Sequence, residues 1–173
     1  MIFFYILIGY LLLLKLLPFI LYPNYLLPGK IEQYSSLIEL SIKLRGVGKQ
    51  QTLENAFQYL REKHASDDKI WRWKNLATLF WVGDFSTQAV LEKKCFLWCH
   101  TQNRLLKSLL VNSGMFRADD VQIGRMFFFN SKFPYQGISI FIHQYLLINI
   151  DGTIFKIDPF YNIFEKRISK KTG

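Results

Sequence analysis

Hydrophobic and polar residues are distributed unevenly along the chain, and the distribution divides it into three stretches. Residues 2–22, IFFYILIGYLLLLKLLPFILY, are almost continuously apolar. Pro23, Asn24, Pro28 and Gly29 then punctuate the exit, which predicts a linker over 23–30, because proline restrains both itself and the residue before it. From residue 31 polar and apolar positions alternate at helical spacing. Ile31, Leu37, Ile38 and Ile42 fall on one side of a helix predicted over 31–45, with Gly46 and Gly48 ending it. Thr52 is placed to cap a second helix, whose Leu53, Ala56, Phe57 and Leu60 follow the i, i+3, i+4, i+7 rule of a packed stripe. A third helix, CHTQNRLLKSLLVNSG, starts at Cys99, buries Leu105, Leu106, Leu109 and Leu110, and stops at Gly114.

After about residue 116 the period changes. The runs MFFF, ISIFIHQYLLINI and TIFKI are aromatic and β-branched, and Pro-Tyr-Gln-Gly and Asp-Gly separate them. These read as strands. Asp151-Gly152 is a strong hairpin signal, since a tight turn of this kind needs positive φ, which glycine adopts without steric cost. Helices followed by an antiparallel sheet make an α+β domain, expected over 31–173 with its core at about 50–165.

The first stretch reaches about 30 Å as a helix, the thickness of a bilayer's hydrocarbon core. It lacks the basic start, short apolar region and small-residue cleavage site of a signal peptide, so an uncleaved single-pass transmembrane anchor over 1–22 is expected. Lys15 and Pro18 interrupt the run, and the alternative is a buried helix packed on the domain. No charged side chain precedes the segment, whereas Lys30, Lys43, Arg45 and Lys49 follow it, which places the domain on the cytoplasmic side by the positive-inside tendency.

Half of the residues are hydrophobic, which excludes a disordered chain. The net charge of +9 suits either nucleic acid or an anionic membrane surface. The basic residues are scattered, with no zinc-finger or RNA-binding signature, so no nucleic-acid partner is expected and the membrane is favoured. Cys95 and Cys99 lie too close along the chain for an ordinary disulfide, and with His100 and His143 they form only a loose metal-ligand set. Neither a metal nor an organic cofactor is expected. Gly46-Val47-Gly48 lacks the further glycine and lysine of a phosphate-binding loop.

Chemistry concentrates on three residues. Cys99 at a helix N-terminus would feel the macrodipole and unpaired N–H groups, both of which favour thiolate, and the same N–H groups could receive an oxyanion. His143 lies in one strand and Asp158 ends the next, with the Asp151-Gly152 turn near their midpoint. Folding that hairpin brings the carboxylate to one imidazole nitrogen and leaves the other for the cysteine. In such an arrangement the histidine shuttles protons and the aspartate orients it. Taken singly, each has a plainer reading. Cys99 could be a small core residue, His143 a hydrogen-bonded core histidine among Phe141, Ile142, Tyr145 and Leu146, and Asp158-Pro159 a strand end. Cys95 is read as structural, His100 as too close along the helix to serve as base, and His64 as a helix-end residue that caps or is solvated.

With these residues in view, the chain resembles the transglutaminase-like, papain-related cysteine superfamily over about residues 50–165. The resemblance rests on Cys99 opening an apolar helix that ends at Gly114, on Met115–Val121 as the following strand, on His143-Gln144-Tyr145, and on Asp158-Pro159. The helix from Thr52 to Lys63 is similar to the one preceding the family's cysteine. Two departures stand out. Leu97-Trp98 replaces the small residue before the cysteine, and Asn103 replaces the small residue four positions after it. The resemblance implies thiol acyl transfer at an amide, with a peptide or protein as substrate, as a membrane-anchored hydrolase or acyltransferase. A bacteriocin-processing type of peptidase has similar His to Asp-Pro spacing, but Lys93 stands where its glutamine would be. The other class is a catalytically silent module that holds a peptide in the same cleft. A thiol-reactive substrate probe separates the two, since only the enzyme needs Cys99 activated by His143.

Overall fold

The computed structural model describes residues 2–21, 31–64, 91, 99–126 and 143–167. Helix α1 runs over Ile2–Leu21, α2 over Ser35–Lys43, α3 over Lys49–Lys63 and α4 over Cys99–Asn112. A short 3-10 turn at Ala118–Asp120 leads into strand β1, Val121–Met126, followed by β2, His143–Ile150, β3, Thr153–Asp158, and β4, Ile163–Arg167. The strands form one antiparallel meander in the order β1-β2-β3-β4. The chain is therefore α+β. The linker expected over 23–30, Cys95, and most of the MFFF and Pro-Tyr-Gln-Gly stretches lie outside the described residues.

Alternation along β2 and β3 sets the sheet's buried face. Leu146 and Ile148 pair across the strands with Ile157 and Phe155, and together with Val121 they pack into the core formed by the helices. From α4 come Leu105, Leu106, Leu109 and Leu110, from α3 Leu53, Ala56 and Leu60, and from α2 Leu37. Helix α4 touches α2, α3 and β2, so it is the pillar of the domain. Burial on several sides explains why even its Gln102, Asn103 and Ser108 are buried. Gly114 follows α4 with φ +75°, the left-handed turn that ends a helix without a Cβ penalty. Segment 31–34 is stitched to the same pillar, since Asn112 donates to the Glu32 carbonyl (2.7 Å) and the Glu32 N–H donates to Ser108 Oγ (3.2 Å).

The Asp151-Gly152 hairpin forms as expected, with both residues at positive φ and Ile150 paired with Thr153. Other expectations need correction. Thr52 is not an N-cap. Gly48 is the cap, and Thr52 lies inside α3, where its hydroxyl accepts from the Gly46 N–H (3.0 Å) and donates to the Gly48 carbonyl (2.8 Å). In α2, Ile38 and Ile42 are exposed and Ser41 is buried, because the helix turns Leu37 and Ser41 inward. Ser41 satisfies its hydroxyl on the Leu37 carbonyl (2.7 Å), so burial costs it little. Met115–Val121 is not a strand. Asp120 accepts the Arg117 N–H and closes a 3-10 turn, delaying β1 to Val121. His64 is buried rather than solvated, at the C-cap of α3 with its N–H on the Leu60 carbonyl. Strand β4 was not anticipated, although Asn162, at φ +57°, marks the turn that precedes it.

Every side chain described in α1 that is large and apolar is exposed, from Ile2 to Leu13. Among the described residues no helix is long and apolar enough to cross a membrane. Within α1 itself, the side chains of residue 11 and residues 14–21 lie outside the description.

Candidate active site

Three elements converge at the start of β2. His143 is its first residue, Asp158 is the last of β3, and Cys99 is the first described residue of α4. Strand pairing places Leu146 opposite Ile157, so His143 and Asp158 lie beside each other at one end of the sheet. His143 Nε2 donates to Asp158 Oδ2 over 2.5 Å, within a site where the carboxylate is fully buried. The second oxygen, Oδ1, accepts the backbone N–H groups of Phe160 (3.2 Å) and Tyr161 (3.4 Å). Asp158 thus holds the histidine with one oxygen and its own turn with the other. The plain strand-end reading accounts only for the second of these bonds.

The turn also carries two aromatic rings onto the imidazole. Tyr161 lies 4.7 Å from it and Phe160 5.9 Å, measured between ring centroids. Arg61 of α3 donates to the Pro159 carbonyl (3.0 Å), tying the same turn to the helical layer. These apolar walls keep water from competing for the His143–Asp158 bond, which strengthens it.

With Nε2 engaged, Nδ1 is the ring nitrogen left for Cys99, and the thiol and imidazole lie close enough to shift each other's ionisation. Burial pushes the Cys99 thiol up, but the charge of His143, hydrogen bonds with His100 and His143, and the charge of His100 outweigh it. The thiol is lowered to about 6. Burial likewise pushes the His143 imidazolium down, whereas the Cys99 charge, hydrogen bonds to Asp158 and Cys99, and the Asp158 charge raise it to about 10. Each partner stabilises the charged form of the other. A buried thiolate–imidazolium pair is what nucleophilic attack by sulfur requires.

Cys99, His143 and Asp158 therefore come together as their order in the chain suggested. His100 also helps to lower the Cys99 thiol, although its position on the helix argued against a role as base. One residue escaped notice as a contributor. Asn103, one turn beyond Cys99 and fully buried, donates from Nδ2 to the Gln144 carbonyl over 2.7 Å. It falls on one helical stripe with Cys99, Leu106 and Leu110, and an amide on an otherwise apolar stripe is the signal that would have found it. Among the described residues no group of His, Cys, Asp and Glu is placed to hold a metal ion. No family model, curated protein or solved structure matches the chain.

Proposed function

We propose that the chain is a membrane-anchored, transglutaminase-like cysteine hydrolase or acyltransferase that acts on an amide bond in a peptide or protein. The observation that carries this reading is the buried His143–Asp158 bond, with the Cys99 thiol and the His143 imidazole each stabilising the other's charged form. A histidine kept merely as a core residue needs neither a buried carboxylate on one nitrogen nor a thiolate on the other.

In the proposed cycle the Cys99 thiolate attacks the amide carbonyl carbon and its electron pair moves to the carbonyl oxygen. As that pair returns, the C–N bond breaks, and the His143 imidazolium gives its proton to the leaving amine. A thioester remains on Cys99. The neutral imidazole then takes a proton from water, the resulting hydroxide attacks the thioester, and the acid leaves as the thiolate–imidazolium pair is restored. An amine in place of water gives transfer instead. Asp158 holds the ring by Nε2–H and stabilises its charge throughout.

Attachment to the membrane rests on the apolar run of residues 2–22 and on the exposure of the described α1 side chains, which speaks against a helix packed on the domain. The cytoplasmic face follows from Lys30, Lys43, Arg45 and Lys49 after the run.

The test is to incubate the full chain in detergent with an activated acyl ester and read its intact mass. Addition of one acyl group, removable by hydroxylamine and absent in Cys99→Ser and His143→Ala, supports the reading. Absence of any adduct on the unaltered chain contradicts it and favours the silent peptide-binding module.

A further inference from the structure

Asn103 is the residue at which the chain departs from the small side chain expected four positions after the cysteine, and the departure has a structural counterpart. Its amide nitrogen reaches across from α4 to β2 and ends on the carbonyl of Gln144, the residue immediately after His143. The nucleophile and the base sit on separate elements, far apart in the chain, and this bond joins those elements one residue from one partner and one helical turn from the other. A turn of helix advances about 5.4 Å and one strand residue about 3.3 Å. A bond at Asn103–Gln144 therefore fixes how far Cys99 stands along the axis of α4 relative to the first residue of β2.

We propose that Asn103 is a positioning residue for the thiol–imidazole pair, clipping helix α4 to strand β2 so that the Cys99 sulfur is held at hydrogen-bonding distance from His143. The inference rests on the Cys99–His143 reading and adds to it the part that sets the distance. Two further observations support it. Among the described residues Asn103 Oδ1 is buried with no hydrogen-bond partner, so the side chain carries a polar atom that a purely stabilising residue would not need. In addition, the same stripe of α4 continues into the apolar core as Leu106 and Leu110, which provide cohesion without registering α4 against β2. Leucine contacts are non-directional and tolerate sliding, whereas a 2.7 Å amide–carbonyl bond does not.

The experiment measures the pH dependence of Cys99 alkylation by iodoacetamide in the full chain, with thermal unfolding recorded on each variant. Asn103→Leu keeps the branched shape of the side chain, though bulkier, and removes the amide, so it tests position without opening a cavity. Asn103→Ala is the second variant, and Ser113→Ala, in the turn just after α4, is the stability control. Both Asn103 variants should move the onset of reactivity upward by about one pH unit and slow alkylation below neutral pH roughly tenfold, while Ser113→Ala keeps the onset of the unaltered chain. An unchanged onset in a folded Asn103→Leu chain, with His143→Ala shifted, overturns the positioning role alone. If His143→Ala is also unshifted, the pair itself is absent and the proposal falls with it.

Discussion

Asp158 divides its two carboxylate oxygens between His143, 2.5 Å away, and the backbone of its own turn, where Phe160 and Tyr161 donate N–H groups at 3.2 and 3.4 Å. The geometry of the base is thereby coupled to the path of the chain after β3. Residues that shape that turn act on the histidine without touching the thiol, and Arg61, bonded to the Pro159 carbonyl, is one of them.

Asp158→Asn should keep the fold and disable the pair. The amide retains an acceptor for the turn but offers His143 no charge, so the imidazolium, held near 10, becomes easier to deprotonate. Acyl transfer should fall about 10²-fold or more, with the alkaline limb of its pH profile moved to lower pH. Steady-state rates from pH 5 to 10 read both effects.

Much of this arrangement is legible in the sequence. The Asp151-Gly152 turn, the stripe of Leu53, Ala56 and Leu60, and the run from Cys99 to Gly114 all obey local rules, and local rules suffice where periodicity and turn chemistry agree. What escaped depended on neighbours distant in sequence. Ile38 and Ile42 look as apolar as Leu37, and only the docking of α2 decides which face turns inward. Thr52 has the chemistry of a cap, but Gly48 lies one turn earlier with an extended backbone, and the helix starts there. Asn103 looked like a departure from a family pattern because its acceptor, the Gln144 carbonyl, belongs to a strand with which it has no local relationship.

Core and surface leucine-type residues give a direct stability contrast. Leu106 is fully buried in the pillar helix, so Leu106→Ala should cost about 2–5 kcal/mol. Ile42 is 59% exposed, and Ile42→Ala should change stability by no more than about 0.5 kcal/mol. Urea unfolding of the two variants checks the orientation of α2 as well as the core.

Membrane attachment has its own signature. The full chain should sediment with membranes and resist alkaline carbonate, and deletion of residues 1–22 should move it to the supernatant. Recovery of the full chain in the carbonate supernatant would remove the anchor from the account while leaving the site untouched.

The central claim is the thiolate–imidazolium pair, and the pH dependence of Cys99 alkylation tests it most directly. Cys99 is lowered to about 6 and His143 raised to about 10, so the pair forms as pH rises through about 6 and is lost as the imidazolium deprotonates near 10. The account predicts reactivity that rises through about pH 6 to a plateau, and in His143→Ala an onset shifted to that of an ordinary thiol, about 8.5 or higher. An onset near 8.5 in the unaltered chain, the same in His143→Ala, would contradict it.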